Sequence, residues 1–66
     1  MKTPPQHIQR VIVEKNLLGE NIDKLKVYVN NGCPGASNTE TELLKEQLDL
    51  MKKYQIVLRK RIALYE

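Results

Sequence analysis

Arg10, Glu14, Tyr54, Arg59 and Arg61 carry the side chains of this 66-residue chain best suited to binding chemistry. Arg10 and Glu14 stand four apart. The other three fall in MKKYQIVLRKRI, Met51 to Ile62, which also holds Lys52, Lys53 and Lys60 and no acid. Guanidinium groups grip phosphate oxygens through paired hydrogen bonds. An aromatic ring stacks on a base for about 1–3 kcal/mol. Arg10, Tyr54, Arg59 and Arg61 are therefore candidates for holding a phosphate-bearing ligand. Each also has an architectural reading. Arg10, Glu14 and Arg61 can form an ion cluster that fixes helix register. Tyr54 can be a core ring with its hydroxyl at the rim. Lys52 and Lys53 suit solvent, and Arg59 and Lys60 suit the negative end of a helix.

Catalysis finds little material. The chain has no Ser-His-Asp set, no Cys beside a His, no glycine-rich phosphate loop and no paired carboxylates on a core face. His7 belongs to the start of a helix and is read as incidental. Cys33 lies in a turn and is read as an exposed or half-packed thiol. One Cys and one His without ligand spacing do not make a metal site, and no cofactor is expected. A single cysteine also rules out an internal disulfide and fits a reducing compartment. The formal net charge is +3, well short of the dense positive field of a typical DNA binder, so nucleic acid is the least favoured partner. No apolar run is long enough to span a membrane, and the N-terminus lacks the apolar stretch of a signal peptide.

Two helices must position these residues. Thr3-Pro4-Pro5-Gln6 offers a cap candidate with proline at the first helical positions. Apolar residues recur at Ile8, Val11, Leu18, Ile22, Leu25 and Val29, with Lys15 at one seam position, which is a heptad-like stripe. Gly19 interrupts it, either as a tolerated flaw or as a close approach of the partner helix. Gly32 can take the left-handed cap, and Pro34 stops the helix. Ser37 with Glu40 and Thr39 with Glu42 form two overlapping capping boxes. A second stripe follows at Leu44, Leu48, Met51, Leu58, Ile62 and Tyr65, with Gln55 at its polar position. These patterns predict an all-α fold with one domain over residues 1–66. It is an antiparallel, coiled-coil-like two-helix hairpin, with helices at about 4–31 and 39–65 and a turn at 32–38. Matching the stripes about the turn sets Val29 against Leu44, Ile22 against Met51 and Val11 against Ile62.

Apolar residues remain off that seam, among them Ile12, Leu17, Val57 and Leu64. A two-helix hairpin buries one stripe per helix, and a chain this short is marginal alone. A homo-oligomer in the form of a helical bundle follows, with those four residues in its interface. The open end of the hairpin would gather the first helix N-terminus, Lys2, Arg10 and Arg59 to Arg61, the parts from which phosphate sites are built.

Arg10 to Leu25 (R-V-x-x-E-x-x-x-L-x-x-x-I-x-K-L) and Leu43 to Ile62 (L-L-x-x-Q-L-x-x-M-x-x-Y-x-x-x-L-x-x-R-I) together resemble a family of small phage-encoded helical-hairpin proteins first noted in crAss-like phages. The chain departs from that pattern in its turn, N-N-G-C-P-G-A-S-N. The resemblance implies a non-enzymatic protein at work in the cytoplasm of an infected bacterial host. By analogy of size, shape and origin it also points to anti-defence sponges, which sequester cyclic nucleotides or ADP-ribose-derived signals at sites between subunits. Two further readings stand beside that one. The leftover apolar face could dock a host or phage protein, or the Lys52 to Arg61 surface could bind nucleic acid.

Overall fold

The computed structural model describes residues 4–65 and contains two helices, α1 (Gln6–Asn30) and α2 (Asn38–Ala63). They pack side by side as the expected all-α hairpin, 48 Å long and 15 Å across. Both stripes face the partner helix. Ile8, Val11, Ile22, Leu48 and Leu58 are buried, and Leu18, Leu25, Val29, Leu44, Met51 and Ile62 are half-buried. The polar seam residues Lys15 and Gln55 are half-buried with them. Tyr65 departs from the stripe, at 44% exposure, because α2 ends before it at Ala63. Each fully buried aliphatic side chain contributes about 1.5–3 kcal/mol, so this is a thin core. Its tightest part is Ile8, Val11 and Leu58, flanked by Ile12, Leu18 and Ile62.

Gly19 is half-buried, and a Cβ there would lie 2.9 Å from the Gln55 amide nitrogen. The close-approach reading is thus the one the structure favours: the glycine of α1 leaves room for the Gln55 side chain of α2.

The helix ends differ from expectation in detail. α1 begins at Gln6 behind Pro5, whose carbonyl accepts from Ile8 and Gln9, with no side-chain cap. Thr3, the expected cap, lies outside the described residues, as does Lys2. At the other end of α1, Gly32 takes φ +83° and donates to Val29, while Cys33 donates to Tyr28. This is the paired-bond cap of a Schellman motif, which brings an apolar residue just past the helix back onto it. Cys33 is that residue. It is 2% exposed, not the exposed or half-packed thiol expected of a turn. Pro34 and Gly35 (φ +84°) then fill the central positions of a turn closed by Ala36 N–H to the Cys33 carbonyl. The Tyr28 hydroxyl donates to the Pro34 carbonyl at 2.6 Å and ties this turn to α1. Of the two expected caps, Ser37 is the one that caps α2: its hydroxyl accepts from the Glu40 N–H at 3.2 Å.

Candidate functional site

The seam defines two flanks. In heptad terms, His7, Glu14, Asn21 and Tyr28 follow one edge of α1, and Gln47, Tyr54 and Arg61 follow the matching edge of α2, each seven residues apart. The hairpin pairs these edges. The Tyr54 hydroxyl donates to a Glu14 carboxylate oxygen at 2.5 Å, across 40 positions of sequence. That bond raises the Tyr54 phenol above its ordinary 10.0, helped by desolvation and the Glu14 charge, while the Arg61 cation pulls it down. Arg61 is thus electrostatically coupled to the pair.

Beside this bridge runs a groove of about 360 Å³, lined by Arg10, Val13, Glu14, Leu17, Leu18, Asn21 and Tyr54. A second hollow of about 360 Å³, lined by Gln6, Gln9, Arg10 and Val13, adjoins it through Arg10 and Val13. Both are shallow and open to solvent along most of their length. The groove offers an exposed aromatic ring, a carboxylate, an amide and a guanidinium above apolar walls. It holds no pairing of nucleophile and base. Among the described residues no group of three metal-ligating side chains comes together.

The structure separates the residues singled out from sequence. Arg10, Glu14 and Tyr54 converge on one groove, and Arg61 lies within electrostatic reach of it. Arg59 is two residues from Arg61, about 200° round the helix, and does not line either hollow. The expected ion cluster takes a different form. Glu14 is bonded to Tyr54, and the ion pairs among the described residues are Lys45–Glu42 and Lys53–Asp49, both on the exposed surface of α2. A phenol at the edge of α2 reaches the carboxylate first. Of the apolar set, Leu17 (55%), Val57 (49%) and Leu64 (81%) are exposed. Ile12 is not free in the same way; it is half-buried and packs on the Ile8–Val11–Leu58 cluster, because its position adjoins the seam.

Two features escaped sequence reasoning. Asn21 joins the groove, a position the seven-residue spacing from Glu14 could have flagged. His7 and Tyr65 meet at the open end of the hairpin, with His7 Nε2 3.3 Å from the Tyr65 hydroxyl and the rings edge to face at 5.5 Å. The stripe pairing sets residue 65 beside residue 8, so this contact was within reach of the same logic.

No helix of the described residues is long and apolar enough to cross a membrane. No curated protein and no solved structure matches the chain. A family model does, over residues 5–64, which takes in both helices, the turn and every groove residue named above. With all but its extreme ends matched by that model, this helical hairpin belongs to the Sequestin family.

Proposed function

We propose that this protein binds and sequesters a nucleotide-derived signal without transforming it, and so blunts a bacterial immune response on behalf of an infecting phage. The family description, Sequestin, agrees with a sequestering role. The observation that carries the reading is the convergence of Tyr54, Glu14, Asn21 and Arg10 on one groove. Each has a natural counterpart on a nucleotide. The Tyr54 ring stacks on the base. Glu14 and Asn21 bond ribose hydroxyls or base edges. Arg10 takes the phosphate, with Arg61 adding positive charge near Tyr54. Cyclic nucleotides and ADP-ribose derivatives carry all three parts, and the working place is the host cytoplasm. The protein acts as a homo-oligomer.

A thermal-shift screen against cyclic dinucleotides, cyclic trinucleotides and cyclic ADP-ribose isomers tests this. A ligand at a hundred times its dissociation constant adds about 2.7 kcal/mol to stability and moves the midpoint by several degrees. One such ligand should do so, and Tyr54→Ala should abolish the shift while leaving the far-ultraviolet helical signal intact. No shift with any of them at saturating concentration overturns the proposal. A second reading, docking of a host or phage protein, draws on the exposed Leu43, Leu50, Val57 and Leu64. It predicts no nucleotide response and a partner lost on Leu50→Lys substitution.

A further inference from the structure

We propose that the outer face of α2, from Leu50 to Leu64, docks on a membrane surface rich in anionic lipid, with the open end of the hairpin toward the bilayer.

The charge of the molecule is split along its 48 Å axis. Residues 4–18 and 51–65, the half around the open end, carry seven cations against the single carboxylate of Glu14. Residues 19–50, the half around the turn, carry three cations against six carboxylates. One half is thus formally +6 and the other −3. An anionic surface attracts the first and repels the second, and so orients the whole hairpin. Lys52, Lys53, Arg59 and Lys60 belong to this excess, are exposed, and line neither hollow. Among the described residues, only Lys53 of these four has a carboxylate partner, Asp49.

Helical rotation sets apolar side chains among them. Leu50, Lys53, Ile56, Val57, Lys60 and Leu64 share a sector of about 100°. It points away from α1, because Leu48, Met51, Leu58 and Ile62 of the same helix are turned toward α1. The four apolar members are 57%, 48%, 49% and 81% exposed. Lys52 and Arg59 stand on one shoulder of the sector and Arg61 on the other. No acid occurs from Leu50 to Tyr65. Earlier in α2 the same sector carries Glu42, Glu46 and Asp49, so the docking stretch stops at Leu50. It covers about 21 Å of helix at 1.5 Å per residue.

These features select the occupant. Aliphatic side chains gain by leaving water, and Lys and Arg stems lie along them while their charged ends reach phosphates. Lipid head groups above acyl chains meet both needs. The helix lies on the bilayer and does not cross it. A second copy on this face would set five cations against five. Nucleic acid answers the cations alone: Ile56, Val57 and Leu64 have no counterpart on a phosphate backbone, and no aromatic ring lies in the sector to stack on a base. This docking face is independent of the ligand proposed above.

Flotation of the full chain with unilamellar vesicles tests it, with phosphatidylcholine alone beside an equal mixture of phosphatidylcholine and phosphatidylglycerol. The protein should float with the mixture, not with phosphatidylcholine alone, and should come off as salt is raised. Lys60→Gln should weaken binding about 5-fold, and Arg59→Gln with Lys60→Gln about 25-fold. Lys24→Gln with Lys26→Gln, in the turn half, should change it far less. Ile56→Ser with Leu64→Ser should also weaken it, at an unchanged far-ultraviolet helical signal. All these side chains are exposed, so the fold does not depend on them. Failure to float with the mixture, or equal binding to both vesicles, overturns the proposal. So does a loss that follows the cations but ignores Ile56→Ser with Leu64→Ser; equal binding of a duplex or single-stranded oligonucleotide would then mark a surface for phosphate alone.

Discussion

The Tyr54 phenol on α2 donates to the Glu14 carboxylate on α1 at 2.5 Å, among the described residues the one side-chain hydrogen bond between the helices in the middle of the hairpin. Among the described residues, the other such bond from α1 to the far end of the chain is His7 to Tyr65 at the open end. The bridge lies on the rim of the groove and ties its two walls together.

That bond has a titration signature. With Glu14 accepting its proton, the Tyr54 phenol is held above 10.0. The protonated form is therefore favoured by folding. Its contribution to stability is complete below the ordinary phenol value and is lost as pH rises through the raised value in the folded protein. Phenolate absorbance of the native protein should show Tyr54 ionising later than a free tyrosine. Glu14→Ala should bring that step down, since the acceptor, the largest cause of the shift, and the smaller charge effect both go with the side chain. An unchanged titration in Glu14→Ala would mean that the bridge does not persist in solution.

Gly19 and Gln55 make a second pair that mutation can read. Alanine at 19 would press on the Gln55 amide at 2.9 Å, but that amide is the far end of a flexible side chain and can swing away. Relief of the glycine penalty within a helix is worth about 1 kcal/mol. Gly19→Ala should be neutral to about 1 kcal/mol stabilising in urea unfolding. Gly19→Leu has no such escape and should destabilise by about 1–3 kcal/mol through overpacking.

The turn offers a backbone test. Gly32 and Gly35 both take positive φ, and a Cβ at either would meet nothing within 4 Å. Any cost of Gly32→Ala is thus conformational, about 1–2 kcal/mol. At the start of α2, Ser37→Ala should cost about 1 kcal/mol. Thr39→Ala should cost little, since Thr39 lies inside the helix and its capping box is not used. Equal losses at 37 and 39 would place the helix start elsewhere. The Cys33 thiol should react slowly with alkylating reagents in the native state and fast in urea.

Much of this architecture was legible because seam residues answer to one rule, the three-four spacing of Ile8 to Val29 and Leu44 to Ile62. Even the polar Lys15 and Gln55 fell where the rule put them. What escaped depends on reach beyond the seam. Cys33 is buried because two glycines and Pro34 fold the chain back over the end of α1, which periodicity does not encode. Glu14 was matched with arginines by charge, whereas a tyrosine on the facing edge was nearer. Arg59 and Arg61 looked equivalent as neighbours in a basic run, and helical rotation sends them to opposite flanks.

On the function proposed above, the groove residues should separate by the part of the ligand they would meet. Arg10→Ala removes a charge-assisted contact worth about 1.5–3 kcal/mol, so affinity for a phosphate-bearing ligand should fall about 10- to 150-fold. Glu14 works against itself there. Its charge repels phosphate, yet it is the acceptor best suited to a ribose hydroxyl. Glu14→Ala should therefore change total affinity little while erasing preference for a ribose over its deoxy analogue. Wild-type protein should hold the ribose form about 5- to 10-fold more tightly, the worth of one hydrogen bond of about 1 kcal/mol. Titration calorimetry on the four combinations of protein and sugar closes the cycle. Equal preference in both proteins would remove Glu14 from the sugar and leave it as the anchor that holds Tyr54 in place.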